Sequence, residues 1–269
     1  MAARELILAS RARARLAGTP VFMYHALAPH GVPSGDPYYC LRADVFVEHL
    51  RALRATTRPV VELGAFWRGE GAGPCAVLTF DDGLCSDYTL ALPRLLEAGV
   101  TATFFLNTST VDRDGYLTWS QIQEMQGKGM RFQSHAHDHV YLSRLSTRSL
   151  ARQLQYSKSL IQDRLGAPVE FLAAPFGDCS RRVVDTALAV GYRAVCTSRT
   201  WPARPRRTTV NRIAITAGTT PGDVRRFAAG VPGPFLRRAM RSALVYVPKQ
   251  ARVAVRARRG TIPATTVNA

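Results

Sequence analysis

Two adjacent carboxylates, Asp81 and Asp82, directly follow an apolar run that reads Ala-Val-Leu-Thr-Phe. Such a run is typical of a buried strand. Two carboxylates at the end of a buried strand repel each other unless a proton or a cation neutralises one of them. A metal ion resolves this conflict, because one carboxylate can bind the ion while the other acts as a base, and Gly83 permits the sharp turn that this needs. The alternative is an exposed turn, since Asp-Asp-Gly occurs in many loops.

Three of the six histidines of the chain, His135, His137 and His139, lie within five consecutive residues after another predicted strand. Imidazole nitrogen is a good ligand for zinc-like divalent ions. His135 and His139 share one side of a helical turn, whereas His135 and His137 would share a face if the strand continued. One Asp with two His leaves coordination positions open for water and substrate, as a catalytic ion requires. The two motifs together therefore predict a catalytic metal site.

Short apolar runs alternate with helical patterns along the chain, which predicts an α/β fold with a mainly parallel sheet. The predicted strands are Pro20–His25, Cys75–Phe80, Ala102–Asn107, Met130–Ser134, Glu170–Ala174, Arg193–Thr197 and Asn211–Thr216. The predicted helices are Asp44–Thr56, Ser86–Ala98, Ser120–Gly127, Thr147–Leu165 and Ser180–Val190. Because the carboxyl ends of parallel strands meet at one edge of a sheet, we expect the carboxylates and the histidines to lie close together.

The motif Thr79-Phe80-Asp81-Asp82-Gly83, followed by His135-x-x-x-His139, resembles the polysaccharide deacetylase family, carbohydrate esterase family 4. The similarity runs from roughly Val21 to Thr216. It implies a distorted (β/α) barrel of about seven parallel strands. It also implies a hydrolase that removes acetyl groups from an N-acetylated sugar, with Asp81 as general base. Asp82, His135 and His139 would then hold a divalent ion, commonly zinc.

The family's third motif, an Arg-x-Pro-Tyr-Gly-like loop, corresponds here to Ala173-Ala174-Pro175-Phe176-Gly177. The resemblance implies that Pro175 and Phe176 contact the substrate and that the backbone N–H of Phe176 is an oxyanion donor. By the same resemblance, Leu142 matches a pocket residue near the substrate. Ala173 stands where the family commonly has an Arg that tethers the base, and Arg212 is the candidate for a replacement tether.

Many members of the family take their general acid from a late Leu-x-His motif. This chain departs from that pattern, because no histidine follows His139. The early run Val-Phe-Met-Tyr-His ends at His25 and resembles the subgroup that deacetylates poly-N-acetylglucosamine. That subgroup takes its acid histidine from the first strand, so the resemblance points to His25 as the acid. The alternative is a histidine with a purely structural hydrogen bond.

The formal net charge is +17, and no acidic residue follows Asp223. We therefore divide the chain into a basic N-terminal segment, residues 1–18, a deacetylase domain, residues 19–229, and a basic tail, residues 230–269. Such a charge attracts polyanions, which include nucleic acid, anionic lipid and phosphorylated substrates. The alternative is an Arg-rich solvated surface without a partner. Within the tail, Pro234–Val247 has the pattern of an amphipathic helix that lies on a membrane surface or packs against the barrel.

Location and function class follow from these features as expectations. Five cysteines without a metal-ligand spacing, and no apolar segment of signal or membrane-spanning length, predict a cytoplasmic protein. The basic tail adds the expectation of a peripheral position at the inner membrane face. A cytoplasmic location favours a lipid-linked or nucleotide-linked sugar over a finished polymer. Two other functions stay open: hydrolysis of a non-polymeric acyl or formyl amide, and polyanion binding on a deacetylase scaffold. Nucleic acid is the weaker partner, because the tail lacks interleaved aromatic residues for base stacking.

Overall fold

The computed structural model describes residues 18–29, 36–70 and 73–237. Its strands are β1 (Val21–Tyr24), β2 (Leu27–Ala28), β3 (Leu41–Arg42), β4 (Val77–Phe80), β5 (Thr103–Leu106), β6 (Arg131–Ser134), β7 (Phe171–Ala173), β8 (Ala194–Cys196), β9 (Thr209–Val210) and β10 (Ile213–Ala214). Eight of them form one parallel sheet in the order β10-β1-β4-β5-β6-β7-β8-β9, while β2 and β3 form a separate pair.

Helices connect the strands of this sheet from β1 to β8, and one more helix follows β10. They are α1 (Ala43–Arg54), α2 (Leu63–Arg68), α3 (Leu92–Glu97), α4 (Trp119–Gly127), α5 (Thr147–Leu165), α6 (Arg181–Ala189) and α7 (Pro221–Ala228). A π-helical turn, Asp87–Ala91, leads into α3, and short 3₁₀ turns follow β6 and β7 at Leu142–Arg144 and Pro175–Gly177. Strand followed by helix and by a parallel strand is the repeating unit of a (β/α) barrel.

The sheet curls into a half-barrel, and its two end strands are neighbours in the chain. The end strands β9 and β10 are separated in the chain by only Asn211 and Arg212, although β9 pairs with β8 and β10 pairs with β1. Of the predicted strand Asn211–Thr216, only Ile213–Ala214 is a strand, β10, and β9 lies just before the predicted range. Counted with β9 and β10 as one segment, the sheet has the predicted seven strands, and the predicted distorted (β/α) barrel is confirmed.

A ladder of aromatic rings crosses four neighbouring strands, and β1 and β4 end at its level. Tyr24, Phe80, Phe104 and Phe132 are partners in the register of β1, β4, β5 and β6. Successive ring centroids are 5.2, 4.9 and 5.6 Å apart, and each pair is stacked. Since cross-strand aromatic pairs stabilise one register against others, the ladder fixes which residues leave the strands side by side. His25 follows Tyr24 directly, and Asp81 follows Phe80.

The described part of the C-terminal region packs on the barrel. Residues 232–237 are helical, and Phe235 is fully buried against Trp201 and Phe227. The remainder of the predicted helix Pro234–Val247, the rest of the basic tail from residue 238, and the basic N-terminal segment up to residue 17 lie outside the described residues. Each of the five cysteines is a free thiol. Among the described helices, none is long and apolar enough to cross a membrane.

Candidate active site and metal centre

Asp82, His135 and His139 come together at the carboxyl end of the sheet. One ligand atom from each of them lies within 4.8 Å of the others. Asp82 Oδ1 is 3.4 Å from His135 Nε2 and 3.4 Å from His139 Nε2. This oxygen is buried and has no hydrogen-bond partner among the described residues. An unpaired buried carboxylate oxygen between two imidazoles needs a cation or a proton to be stable.

The donor set fits a zinc-like ion. The Nδ1 atom of His135 lies 2.8 Å from the carbonyl oxygen of Ala173, which accepts a hydrogen bond when Nδ1 carries the proton. Nε2, which faces Asp82, then carries the free lone pair. A hydrogen bond from the other ring nitrogen orients many metal-binding histidines in this way. Two imidazole nitrogens and one carboxylate oxygen are ligands that zinc prefers. The three residues named from the sequence therefore fit a divalent ion, and their metal binding stays a prediction.

The backbone adopts unusual dihedral angles at three residues in the turns that form the site. Asp82, Ala136 and Phe176 have φ values of 77°, 65° and 59°, a region that residues other than glycine rarely adopt. Gly83 follows with φ of 64°, and a Cβ there would stand 2.9 Å from the side chain of Leu106. Strained residues that cluster at one place commonly mark a functional site. The predicted sharp turn at Gly83 therefore has both a conformational and a steric cause.

Asp81 is held by Arg212. The guanidinium donates two parallel hydrogen bonds to the carboxylate, Nη1 to Oδ1 at 2.6 Å and Nη2 to Oδ2 at 2.7 Å. Both side chains are buried, at 3% and 1% exposure, and Arg212 also donates to the Thr197 carbonyl and the Thr79 hydroxyl. Its guanidinium lies 5.1 Å from the centre of the Phe105 ring. The structure thus places Arg212 where a tether for Asp81 must be, at the gap between β9 and β10.

Burial and neighbouring charges shift the pKa values of the four site residues Asp81, Asp82, His135 and His139. Burial disfavours the ionised form of Asp81, but Arg212 and His135 outweigh it and hold the pKa of Asp81 below its usual value. Burial also opposes ionisation of Asp82, yet His135 and the other histidines lower the pKa of that carboxyl. Burial lowers the pKa of His139. For His135, burial is outweighed by Asp81 and Asp82, so its pKa is raised. Both carboxylates are therefore ionised at neutral pH.

His25 lies beside the carboxylates, since β1 and β4 are in register and Asp81 N–H donates to the Tyr24 carbonyl. Its ring packs against Tyr39 at 4.5 Å between centroids. Its Nδ1 atom is buried without a hydrogen-bond partner among the described residues. Burial lowers the pKa of His25, although Asp81 and Asp82 oppose this. His25 is thus near the site, and its role as the acid stays a prediction.

The alternative pairing of His135 with His137 does not occur. His137 Nδ1 lies 2.8 Å from the Thr108 hydroxyl, and its ring packs edge-on against Tyr156 at 4.7 Å. The chain does not continue as a strand after Ser134, because Ala136 adopts its positive φ there. The turn brings His139 to His135, with ring centroids 5.2 Å apart.

The three predicted substrate contacts have different surroundings. Phe176 is 55% exposed, and its ring lies 4.3 Å from that of His139. Pro175 is buried at the end of β7. Leu142 is also fully buried in the core, so it lies behind the site surface in this structure. Sequence reasoning missed Tyr39 and Tyr141, whose rings contact His25 and Phe176. Tyr141 lies two residues after a predicted ligand, but Tyr39 carries no sequence signal.

The sequence of this chain is similar to known deacetylases. The sequence model of the family described as polysaccharide deacetylase matches residues 68–195, a segment that contains Asp81, Asp82, His135 and His139 but neither His25 nor Arg212. YxkH of Bacillus subtilis, a candidate polysaccharide deacetylase, is 25% identical over 174 residues, which cover 65% of this chain and 62% of that protein. A peptidoglycan-N-acetylglucosamine deacetylase of Listeria monocytogenes is 30% identical over 109 residues, 40% of this chain and 22% of that protein. The chain thus spans less than two thirds of the length of these relatives.

Solved structures share the fold. A deacetylase of Streptococcus pyogenes in complex with acetate superposes with a TM-score of 0.72 at 23% identity, over 79% of this chain and 98% of that one. A polysaccharide deacetylase from Bacillus cereus superposes with a TM-score of 0.67 at 25% identity, over 79% of this chain and 68% of that one. The matched segment, the relatives and the shared fold thus make this chain similar to proteins of the polysaccharide deacetylase family.

Proposed function

We propose that this protein is a metal-dependent hydrolase that removes acetyl groups from an N-acetylated glycan. One observation carries the proposal: a donor group of Asp82, His135 and His139 adjoins a carboxylate, Asp81, that Arg212 keeps buried and ionised. A structural ion would need neither an ionised base beside it nor strained backbone around it. The family match supports the same chemistry.

The residues of the chain divide the reaction between them. Asp81 accepts a proton from the attacking water while the oxygen of that water bonds to the amide carbonyl carbon. The backbone N–H of Phe176 stabilises the negative charge that develops on the carbonyl oxygen. His25 donates a proton to the sugar nitrogen as the C–N bond breaks, which leaves acetate and a free amine. A divalent ion held by Asp82, His135 and His139 supplies Lewis acidity towards the carbonyl and lowers the pKa of water.

Burial makes His25 a stronger acid than an ordinary histidine, which favours proton transfer to the departing amine. Its protonated fraction falls as the pH rises through its lowered pKa. Asp81 loses its ionised form only when the pH falls through a pKa below the usual range. Activity is therefore expected to follow a bell-shaped pH profile. A profile that stays flat from acid to mildly alkaline pH would contradict this division of roles.

The substrate class is tested by a panel. We expect acetate release from N-acetylglucosamine oligomers, abolished by a chelator and restored by zinc, with small acetyl and formyl amides as poor substrates. The amine or acid released is measured with and without chelator for each compound. Turnover of the small amides alone would favour the non-sugar deacylase. Binding of polyanions without turnover of any amide would favour the scaffold hypothesis.

The cytoplasmic location and the membrane contact of the basic tail remain proposals. The basic tail supports them by its charge, since basic segments bind anionic lipid. Flotation with liposomes that contain an anionic lipid should recover the full chain but not a chain that ends at Arg237. This end point retains Phe235, which is part of the core. Equal flotation of both proteins would remove the membrane proposal.

A further inference from the structure

Four side chains form a stack that leads outward from the metal centre, here called the aromatic column: His139, Phe176, Tyr141 and Arg144. The rings of Tyr141 and Phe176 are stacked, with centroids 4.3 Å apart and planes 16° apart. The guanidinium carbon of Arg144 lies 4.4 Å from the Tyr141 centroid. Tyr141 therefore contacts both Phe176 and Arg144 through its ring. Arg144 is therefore the outer end of the column.

The inner end of the column is a predicted metal ligand. His139 lies 4.3 Å from the Phe176 centroid, with the two ring planes 67° apart. Phe176 thus contacts both His139 and Tyr141. The column thus joins the ion site to the surface through Phe176, the residue of the predicted oxyanion N–H.

The loop that carries the outer half is fixed at several points. Arg182 donates hydrogen bonds of 2.8 Å to the carbonyl oxygens of Ser143 and Leu145. Asp178 accepts the N–H of Ser143 at 2.7 Å. Leu142, between Tyr141 and Ser143, is buried in the core. The loop therefore presents Tyr141 and Arg144 in one arrangement.

Arg144 keeps a free charge. It is exposed, and it makes no ion pair with any residue that the structure describes. Asp178, the carboxylate that touches this loop, is bound to the Ser143 amide instead. A guanidinium held flat on an aromatic ring still has its N–H edges available for a planar or tetrahedral anion. Phe176 and Tyr141 also keep 55% and 38% of their surfaces exposed.

We propose that the aromatic column is one wall of the substrate cleft and that Arg144 binds a carboxylate or phosphate group of the glycan. This group would be on a sugar next to the one that is deacetylated. The inference rests on the proposed function and names its substrate class: an N-acetylated glycan that carries negative charge. The strongly basic composition of the chain is consistent with such a substrate.

The test compares three oligomers of similar length: an N-acetylglucosamine tetramer, the tetramer with a 6-phosphate, and an oligomer in which alternate sugars carry a lactyl carboxylate. We expect higher kcat/KM for at least one charged oligomer than for the neutral one. In Arg144→Gln, this preference should fall about tenfold, mainly through KM, because one charge-assisted contact is lost. Arg144→Lys keeps the charge but not the flat stacking and should retain part of the preference. Comparison of the two charged oligomers shows which anion is bound.

Arg148→Gln is the matched control, because Arg148 is an exposed arginine on α5. It should leave the preference for charged oligomers unchanged. Equal preference in wild type and Arg144→Gln, or an equal loss in Arg148→Gln, would overturn the proposal. If the wild type hydrolyses none of the oligomers, the proposed function fails. Calorimetry of the phosphorylated tetramer with wild type and Arg144→Gln then tests the column by itself, and equal affinities overturn it.

Discussion

Asp81→Asn is expected to lower kcat by about 10²–10⁴-fold, the range by which a general base accelerates proton transfer. The change keeps the shape of the side chain but removes the charge that accepts the proton of the attacking water. Metal binding should persist, because Asp82, His135 and His139 are unchanged. The measurement is acetate release from an N-acetylglucosamine oligomer together with the metal content of the purified protein.

The variant also leaves the buried Arg212 without a charged partner, so some loss of stability is expected. Activity is therefore measured well below the unfolding transition of the variant. Asp114→Asn, an exposed aspartate outside the site, is the matched control and should retain wild-type turnover. Asp82→Ala should differ from Asp81→Asn in losing both the metal and the activity. Near-normal turnover of Asp81→Asn would show that Asp81 is not the base.

Arg212→Met is expected to reduce the free energy of unfolding by about 3–5 kcal/mol at neutral pH, as is typical when one partner of a buried ion pair is removed. Methionine fills part of the volume but leaves Asp81 buried without its two hydrogen bonds. The variant loses the largest charge that opposes the effect of burial on Asp81, so the pKa of Asp81 is expected to rise. The acid limb of the activity profile should therefore move to higher pH.

The pH dependence of stability has a definite sign. In the wild type the folded pKa of Asp81 lies below the unfolded value, so its stabilising contribution is present above the unfolded pKa and is lost as the pH falls through the folded pKa. In Arg212→Met we expect the folded pKa of Asp81 to rise above the unfolded value, so the variant should be destabilised at neutral pH and less so in acid. Chemical unfolding of both metal-free proteins at pH 7 and pH 5 should show a smaller difference at pH 5. Arg212→Lys should recover part of the stability and of the acid limb, whereas a pH-independent difference would indicate lost packing alone.

Most of the fold follows from the sequence because the strands are buried on both faces. Continuous apolar runs such as Val77–Phe80 are typical of parallel strands covered by helices, and each predicted strand of this kind is found. The last predicted strand, Asn211–Thr216, is only partly correct, because the strand begins at Ile213, and Arg212, which precedes it, contacts Asp81. That contact joins residues far apart in the chain and has no local pattern.

The site, too, contains residues that a local sequence pattern identifies and residues that it does not. Asp81, Asp82, His135 and His139 are identified by residue type and short-range spacing, and the structure brings them together. Arg212 is only a candidate tether for Asp81 in the sequence, because no local sequence pattern distinguishes it from the many other arginines. The aromatic column could not be predicted, since Tyr141 and Phe176 meet only when the turns after β6 and β7 converge.

The central claim is that Asp82, His135 and His139 hold an ion on which glycan deacetylation depends. Zinc titration of the metal-free protein, followed by acetate release from an N-acetylglucosamine oligomer, tests it most directly. Activity should rise linearly and level off at about one equivalent per chain, the capacity of a single three-ligand site, and Asp82→Ala should show no rise. Full activity in the thoroughly metal-free protein, or an equal rise in Asp82→Ala, would contradict the account.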